Sequence, residues 1–234
     1  MTRKSLLAAL VLGLSLPVLV PVGTAEAQAG KAPPAKPAPG GTPTAAQIAD
    51  RVQAFYDKTQ SFAATFSQRY TVKAYSKVKK SDGRVVFAKP GKMSWRYSNS
   101  NRIVSDGKTV LVYEADNKQA YEQPMGKSQY PAALSFLVGE GNIKTAFRLK
   151  LLPAAKMKFE GGYVLEGTPK SPTPAYQKIL FYVDAGTYQV RRVLLLDAQG
   201  NRNQFTFEAP VVNEKVADSE FKFTPPPGTQ VIKP

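Results

Sequence analysis

The chain has 234 residues, with 32 Lys and Arg against 17 Asp and Glu, no His and no Cys, and a formal net charge of +15. It therefore lacks the commonest general base near neutral pH, a zinc-type donor set and any disulfide framework, and must fold on its apolar core alone. The charge suits an acidic protein surface or an anionic membrane face, but apart from Lys77, Lys79 and Lys80 the basic residues are scattered, as on a diffuse solvated surface.

Residues 1–29 have a short basic start (Arg3, Lys4), an uncharged apolar run over 6–22 and small residues in Ala-x-Ala spacing at Ala25, Ala27 and Ala29. This predicts a secretory signal peptide cleaved near Ala27 or Ala29, and export argues against nucleic acid as a partner. A membrane anchor is the competing reading, which Pro17 and Pro21 weaken by interrupting the run. With no cysteine to acylate, the chain is expected not to be a lipoprotein itself. Residues 30–43 are almost entirely Ala, Pro, Gly and Lys, a composition that predicts a flexible linker. One domain over 44–234 is expected to follow.

Thr44 can cap a helix, with Gln47 placed three residues on as in a capping box, and Ile48, Val52, Phe55 and Tyr56 fall on one helical face. Phe62, Ala64, Phe66, Gln68, Tyr70 and Val72 then alternate with more polar neighbours, which is a strand period. Further strands are predicted at 84–87, 93–97, 101–104, 109–114 and 119–123, with Asp82-Gly83 and Asp106-Gly107 read as hairpin turns. After Pro131, the residues Ala133, Leu134, Leu137 and Val138 fit a short amphipathic helix ending at Gly139, and 142–147 read as another turn. Strands resume at 156–160, 163–167, 177–183, 189–196 and 203–208, divided by Gly161-Gly162, a Pro-rich loop, Ala185-Gly186 and Gln199-Gly200-Asn201. The expected fold is mostly β (α+β), a large antiparallel sheet that curls, with two or three helices on its concave side.

No nucleophile elbow, P-loop or dinucleotide fingerprint occurs, and of the carboxylates Asp106, Glu114 and Asp116, Asp106 is explained by its hairpin and the others lie in or near a turn. The chain is expected not to be an enzyme and to need no cofactor or metal. Met93, Trp95 and Tyr97 share one face of their strand, which reads as an ordinary core strand or as the lining of an apolar cavity.

Residues 87–113, FAKPGKMSWRYSNSNRIVSDGKTVLVY, join a Lys-Pro turn, a Trp-bearing strand and an Asp-Gly hairpin in one order, and FKFTPPPG stands near the C-terminus. In this series the chain resembles the periplasmic outer-membrane lipoprotein carrier family, LolA, over about residues 45–231. The resemblance implies an incomplete β-barrel with a helical lid over an apolar cavity, lined by Tyr56, Phe62, Phe66, Met93, Trp95, Tyr97, Leu134 and Leu137. Phe181, Val183, Val193 and Leu195 are read as core with cavity lining open to them. It also implies that Lys89 latches the lid through backbone carbonyls, where many relatives carry Arg before this proline. A planar guanidinium fork and a point-charge ammonium aim differently, so this substitution bears directly on that role.

The implied function is a monomeric periplasmic chaperone for acylated lipoproteins. Its implied partners are an inner-membrane extractor of the ABC class and an outer-membrane acceptor lipoprotein. Acyl chains are held in a bilayer by about 0.8 kcal/mol per buried CH₂, so a triacylated protein crosses water only inside such a shelter. The alternatives are a lipid- or lipoprotein-sensing module on the same half-barrel, and a carrier of another amphiphile such as a glycolipid.

Overall fold

The computed structural model describes residues 41–127 and 141–233. The signal peptide, most of the linker and the predicted helix bearing Leu134 and Leu137 lie outside the described residues. Helix α1, Ala45–Lys58, begins with the reciprocal box its sequence encodes. Gln47 N–H donates to Thr44 Oγ1 at 3.2 Å, and Thr44 N–H donates to Gln47 Oε1 at 2.9 Å. Its apolar stripe, Ile48, Ala49, Val52 and Tyr56, is buried.

Six strands follow α1: β1 (Ser61–Val72), β2 (Lys77–Ala88), β3 (Lys92–Tyr97), β4 (Arg102–Asp106), β5 (Thr109–Glu114) and β6 (Gln119–Pro124). A one-turn helix α2 (Ile143–Ala146), capped by Asn142, leads into β7 (Phe147–Leu152), β8 (Gly162–Pro169), β9 (Lys178–Asp184), β10 (Val190–Leu196), β11 (Arg202–Val212) and β12 (Gln230–Ile232). All twelve form one unclosed sheet in the order β12-β6-β5-β4-β3-β2-β1-β11-β10-β9-β8-β7. Two sequential meanders thus meet at a central seam, where β1 and β11 pair antiparallel through Phe66↔Phe207 and Gln68↔Phe205.

Strand alternation sorts the side chains into two faces. One face carries Phe62 and Phe66 of β1, Val85 and Phe87 of β2, Trp95 of β3, Ile103 of β4 and their counterparts across the seam, and joins the stripe of α1 in one large buried core. The other face carries two smaller clusters, Ala63 and Val86 around Phe221, and Val164, Leu180, Tyr182 and Leu194. The sheet curls around the face on which, among the described residues, α1, α2 and the continuous core lie.

Three expectations change. Asp82-Gly83 is not a turn: it lies inside β2, opposite Ser67 and Phe66, and the reversal occurs at Lys73–Tyr75 with Ser76 left-handed at φ 51°. Gly83 serves a close strand approach instead, since a Cβ there would stand 1.9 Å from the Arg96 carbonyl oxygen. The strand expected at 156–160 is a 3₁₀ turn (Ala155–Met157) followed by Lys158 at φ 52°, and the strand lies earlier, at β7. Pro153 ends that strand, and Met157 and Phe159 fold onto the outer cluster, where Phe159 meets the Tyr182 ring edge-on. Finally, the sheet is not wholly antiparallel, because β12 pairs parallel with β6.

The Asp106-Gly107 hairpin forms as its composition predicts: Asp106 Oδ1 accepts the N–H groups of Lys108 and Thr109 at 2.8 and 2.9 Å, and Gly107 takes φ +95°. Between β11 and β12 the C-terminal segment crosses the outer face. Phe221 is buried against Ala63 and Val86, Arg96 and Lys92 pair with Glu220 and Asp218, and Phe223 packs on the Tyr113 ring at 5.4 Å. FKFTPPPG therefore anchors a strap across the sheet before the chain reaches its far edge.

Candidate functional site

The inner face of the sheet is built around Trp95. The indole is completely buried and, among the described residues, has four aromatic neighbours: Phe66 at 4.9 Å between ring centroids, Phe205 at 5.2 Å, Phe87 at 5.8 Å and Phe207 at 6.2 Å. Phe66 also meets Tyr97 at 5.0 Å, and Phe62 meets Phe87 and Phe207 at 5.9 and 5.8 Å. Most of these pairs are edge-on, the arrangement that sets a positive ring edge against a negative face. Met93 joins the same cluster at 1 % exposure and is the flexible member among rigid rings.

Of the eight predicted lining residues, Tyr56, Phe62, Phe66, Met93, Trp95 and Tyr97 are brought into this one core. Leu134 and Leu137 lie outside the described residues. Phe181, Val183 and Val193 are fully buried in the same cluster, and Leu195 packs against it partly buried. Sequence reasoning did not single out Phe87, Phe205 and Phe207 as part of the site. Their signal was present in the Phe205-Thr206-Phe207 alternation, but which face that alternation presents is decided by the seam register with β1, a pairing of residues far apart in the chain.

Gln53 and Asp50 tie α1 to α2 through the Ile143 N–H and the Lys144 ammonium, and two further polar contacts tie its last turn to the sheet. The Val190 N–H donates to the Tyr56 hydroxyl at 3.1 Å, and the Lys89 ammonium, in the turn between β2 and β3, donates to the carbonyls of Tyr56 and Asp57 at 2.6 and 3.2 Å. Carbonyls in the last turn of a helix have no partner within it and carry the negative end of its dipole, so a cation is the fitting cap. Lys89→Met is expected to cost about 1–2 kcal/mol, and Lys89→Arg about half as much, as judged by unfolding midpoints. Hydrogen exchange of the α1 amides should rise first in Lys89→Met, and unchanged exchange would mean that the cap carries no weight.

Burial pushes the Tyr56 phenol far above its ordinary range, with the Val190 N–H acting weakly the other way, and pushes Tyr176 up to about 12. The unfolded chain loses these protons near pH 10 while the folded chain keeps them, so stability is level below about pH 10 and falls as pH rises beyond it. Tyr176→Phe is expected to flatten part of that alkaline fall in denaturation midpoints, and an unchanged slope would exclude it as a contributor. Among the described residues, no three acidic groups stand together as metal ligands.

Among the described residues, the arrangement is thus an apolar, aromatic face with a pinned helix. A family model for the outer membrane lipoprotein carrier protein LolA matches residues 57–224. The outer-membrane lipoprotein carrier protein of Cupriavidus pinatubonensis is 30% identical over 197 residues, covering 82% of this chain and 90% of that protein. The protein of the same description from Nitrosomonas europaea is 30% identical over 198 residues, covering 82% and 91%. Among solved structures, an uncharacterized conserved protein from Thermus thermophilus aligns over 81% of this chain and 99% of its own, with TM-score 0.50 and 15% identity, a likeness of fold. The matched span runs from the last turn of α1 through the Lys89 turn and the Trp95 strand to the strap, and on that ground the chain belongs to the LolA family of outer membrane lipoprotein carrier proteins.

Proposed function

We propose that the protein is a periplasmic carrier that shelters the acyl chains of lipoproteins. It takes them from an ABC-type extractor in the inner membrane and passes them to an acceptor lipoprotein in the outer membrane. The observation that carries this reading is the continuous aromatic face centred on Trp95, in a chain whose relatives are described as lipoprotein carriers.

The six described lining residues are at most 7% exposed and pack on one another, so an acyl chain reaches them only when what covers them moves. Lys89 is the proposed latch for that motion. Its ammonium ties the β2–β3 turn to the end of α1 by two hydrogen bonds, which a moving helix can break and remake. Breaking two such contacts costs a few kcal/mol at most, far less than the tens by which acyl chains prefer an apolar site to water, so the latch alone does not bar their entry. Leu134 and Leu137 are proposed to add acyl contacts.

The test is native mass spectrometry of the protein purified after export, incubated with extractor-containing membranes that hold a triacylated lipoprotein. A one-to-one complex is expected with the acylated cargo and none with its unacylated form. Copurification of a non-protein amphiphile without lipoprotein uptake would replace this reading with carriage of another lipid, and a protein that stays empty would return the aromatic face to plain core.

A further inference from the structure

The end of the β1–β2 hairpin is not explained by cargo binding. Residues 58–81 contain no Asp or Glu, while Arg69, Lys73, Lys77, Lys79 and Lys80 crowd the last turns of the hairpin. Among the described residues, none of these five makes an ion pair; of the neighbouring acids, Asp82, two residues beyond Lys80, accepts from the Ser98 hydroxyl, and Asp197 is held by its own turn through Gln199 N–H and Asn201. Strand β3 pairs with β2 only from Gly83 onward, so residues 77–81 run on past it, a length of about 17 Å at the usual rise per residue. At the reversal stands Tyr75, 81% exposed, with Val78 at 38% three residues on.

Lysines along an open strand edge also deter strand pairing. That explains Lys77, Lys79 and Lys80 and leaves Tyr75 without a reason to be there. An amphipathic ring at a projecting tip, ringed by ammonium groups, is the pattern of an interfacial anchor, since tyrosine settles at headgroup level and lysines meet anionic lipid. The cations are four lysines and one arginine. Compact, hydrated point charges suit a fluid headgroup layer, whereas guanidinium forks suit the fixed carboxylates of a protein partner.

We propose that the β1–β2 tip is a docking surface for bilayers carrying anionic phospholipid headgroups, with Tyr75 seated at the interface and Lys73, Lys77, Lys79 and Lys80 over the headgroups. This lies outside the acyl site on the inner face, and docking needs no cargo, so it stands or falls separately from the carrier reading.

The experiment is cosedimentation of the protein purified after export with vesicles of phosphatidylethanolamine and phosphatidylglycerol in equal parts, against phosphatidylcholine alone. Binding to the anionic vesicles only is expected, weakening as salt is raised. Replacing Lys77, Lys79 and Lys80 by Gln together is expected to weaken it roughly 100-fold, and Tyr75→Ser several-fold, with melting temperatures unchanged because all four side chains are exposed. Equal binding to both vesicle types, or a triple variant that binds like the parent, would overturn the proposal. So would absence of vesicle binding together with lipoprotein transfer that still depends on the three lysines, which would assign the tip to an acidic protein.

Discussion

Trp95→Ala is expected to lower the unfolding free energy by about 3–5 kcal/mol and the melting temperature by roughly 10–15 °C. The indole is wholly buried and touches rings from β1, β2 and β11, so its removal leaves a cavity that rigid aromatic neighbours on both sides of the seam cannot collapse to fill. Trp95→Phe keeps an aromatic ring and most of the volume, and should recover more than half of the loss. Thermal unfolding of the three proteins measures this. A melting temperature for Trp95→Ala within a few degrees of the parent would mean that the face is loosely packed. At a temperature where Trp95→Ala remains folded, its complex with acylated lipoprotein should also weaken, because the same rings are the proposed acyl contacts.

Gly83→Ala is the second large effect, expected at about 3 kcal/mol or more although it adds a single methyl group. The added carbon would lie 1.9 Å from the Arg96 carbonyl oxygen and 2.9 Å from the Tyr97 Cα, both backbone atoms of the adjacent strand. No rotamer change relieves such a contact, so β2 and β3 must part where Phe66 and Tyr97 pack across Gly83. Gly126→Ala is the control, because nothing lies within 4 Å of a Cβ there. Denaturant midpoints for the pair should differ widely, and similar values would show that the strands have room to spare.

These two positions also mark what the sequence reveals and what it hides. Local patterns were readable: the box at Thr44 and Gln47, the alternation through Met93, Trp95 and Tyr97, and the Asp106-Gly107 turn are each set by residues a few places apart. Gly83 misled because an Asp-Gly pair signals a turn by composition, whereas here the missing side chain admits a neighbouring strand that the local sequence does not reveal. Strand β7 went unseen although Phe147, Leu149 and Leu151 alternate with Arg148 and Lys150, because it begins directly at the end of the Asn142-capped turn. Residues 156–160 have the period of a strand but lack a partner, and a left-handed Lys158 turns them onto the outer face. Within the site, Trp95 was legible from its own strand, but Phe205 and Phe207 gain their place only through the seam.

That seam governs the order in which the molecule can assemble. Thr65 and Glu208 are register partners 143 residues apart, whereas every other antiparallel pairing in the sheet joins strands adjacent in the chain. Each meander can therefore zip locally, but the step that unites them closes a very long loop, and such nonlocal pairings are slow. A chain that emerges amino end first presents β1 before β11, leaving the Phe62 and Phe66 side of that strand without its neighbour until almost the whole polypeptide has emerged. The protein proposed to shield apolar chains for others has, on this topology, an interval in which its own central strand needs shielding.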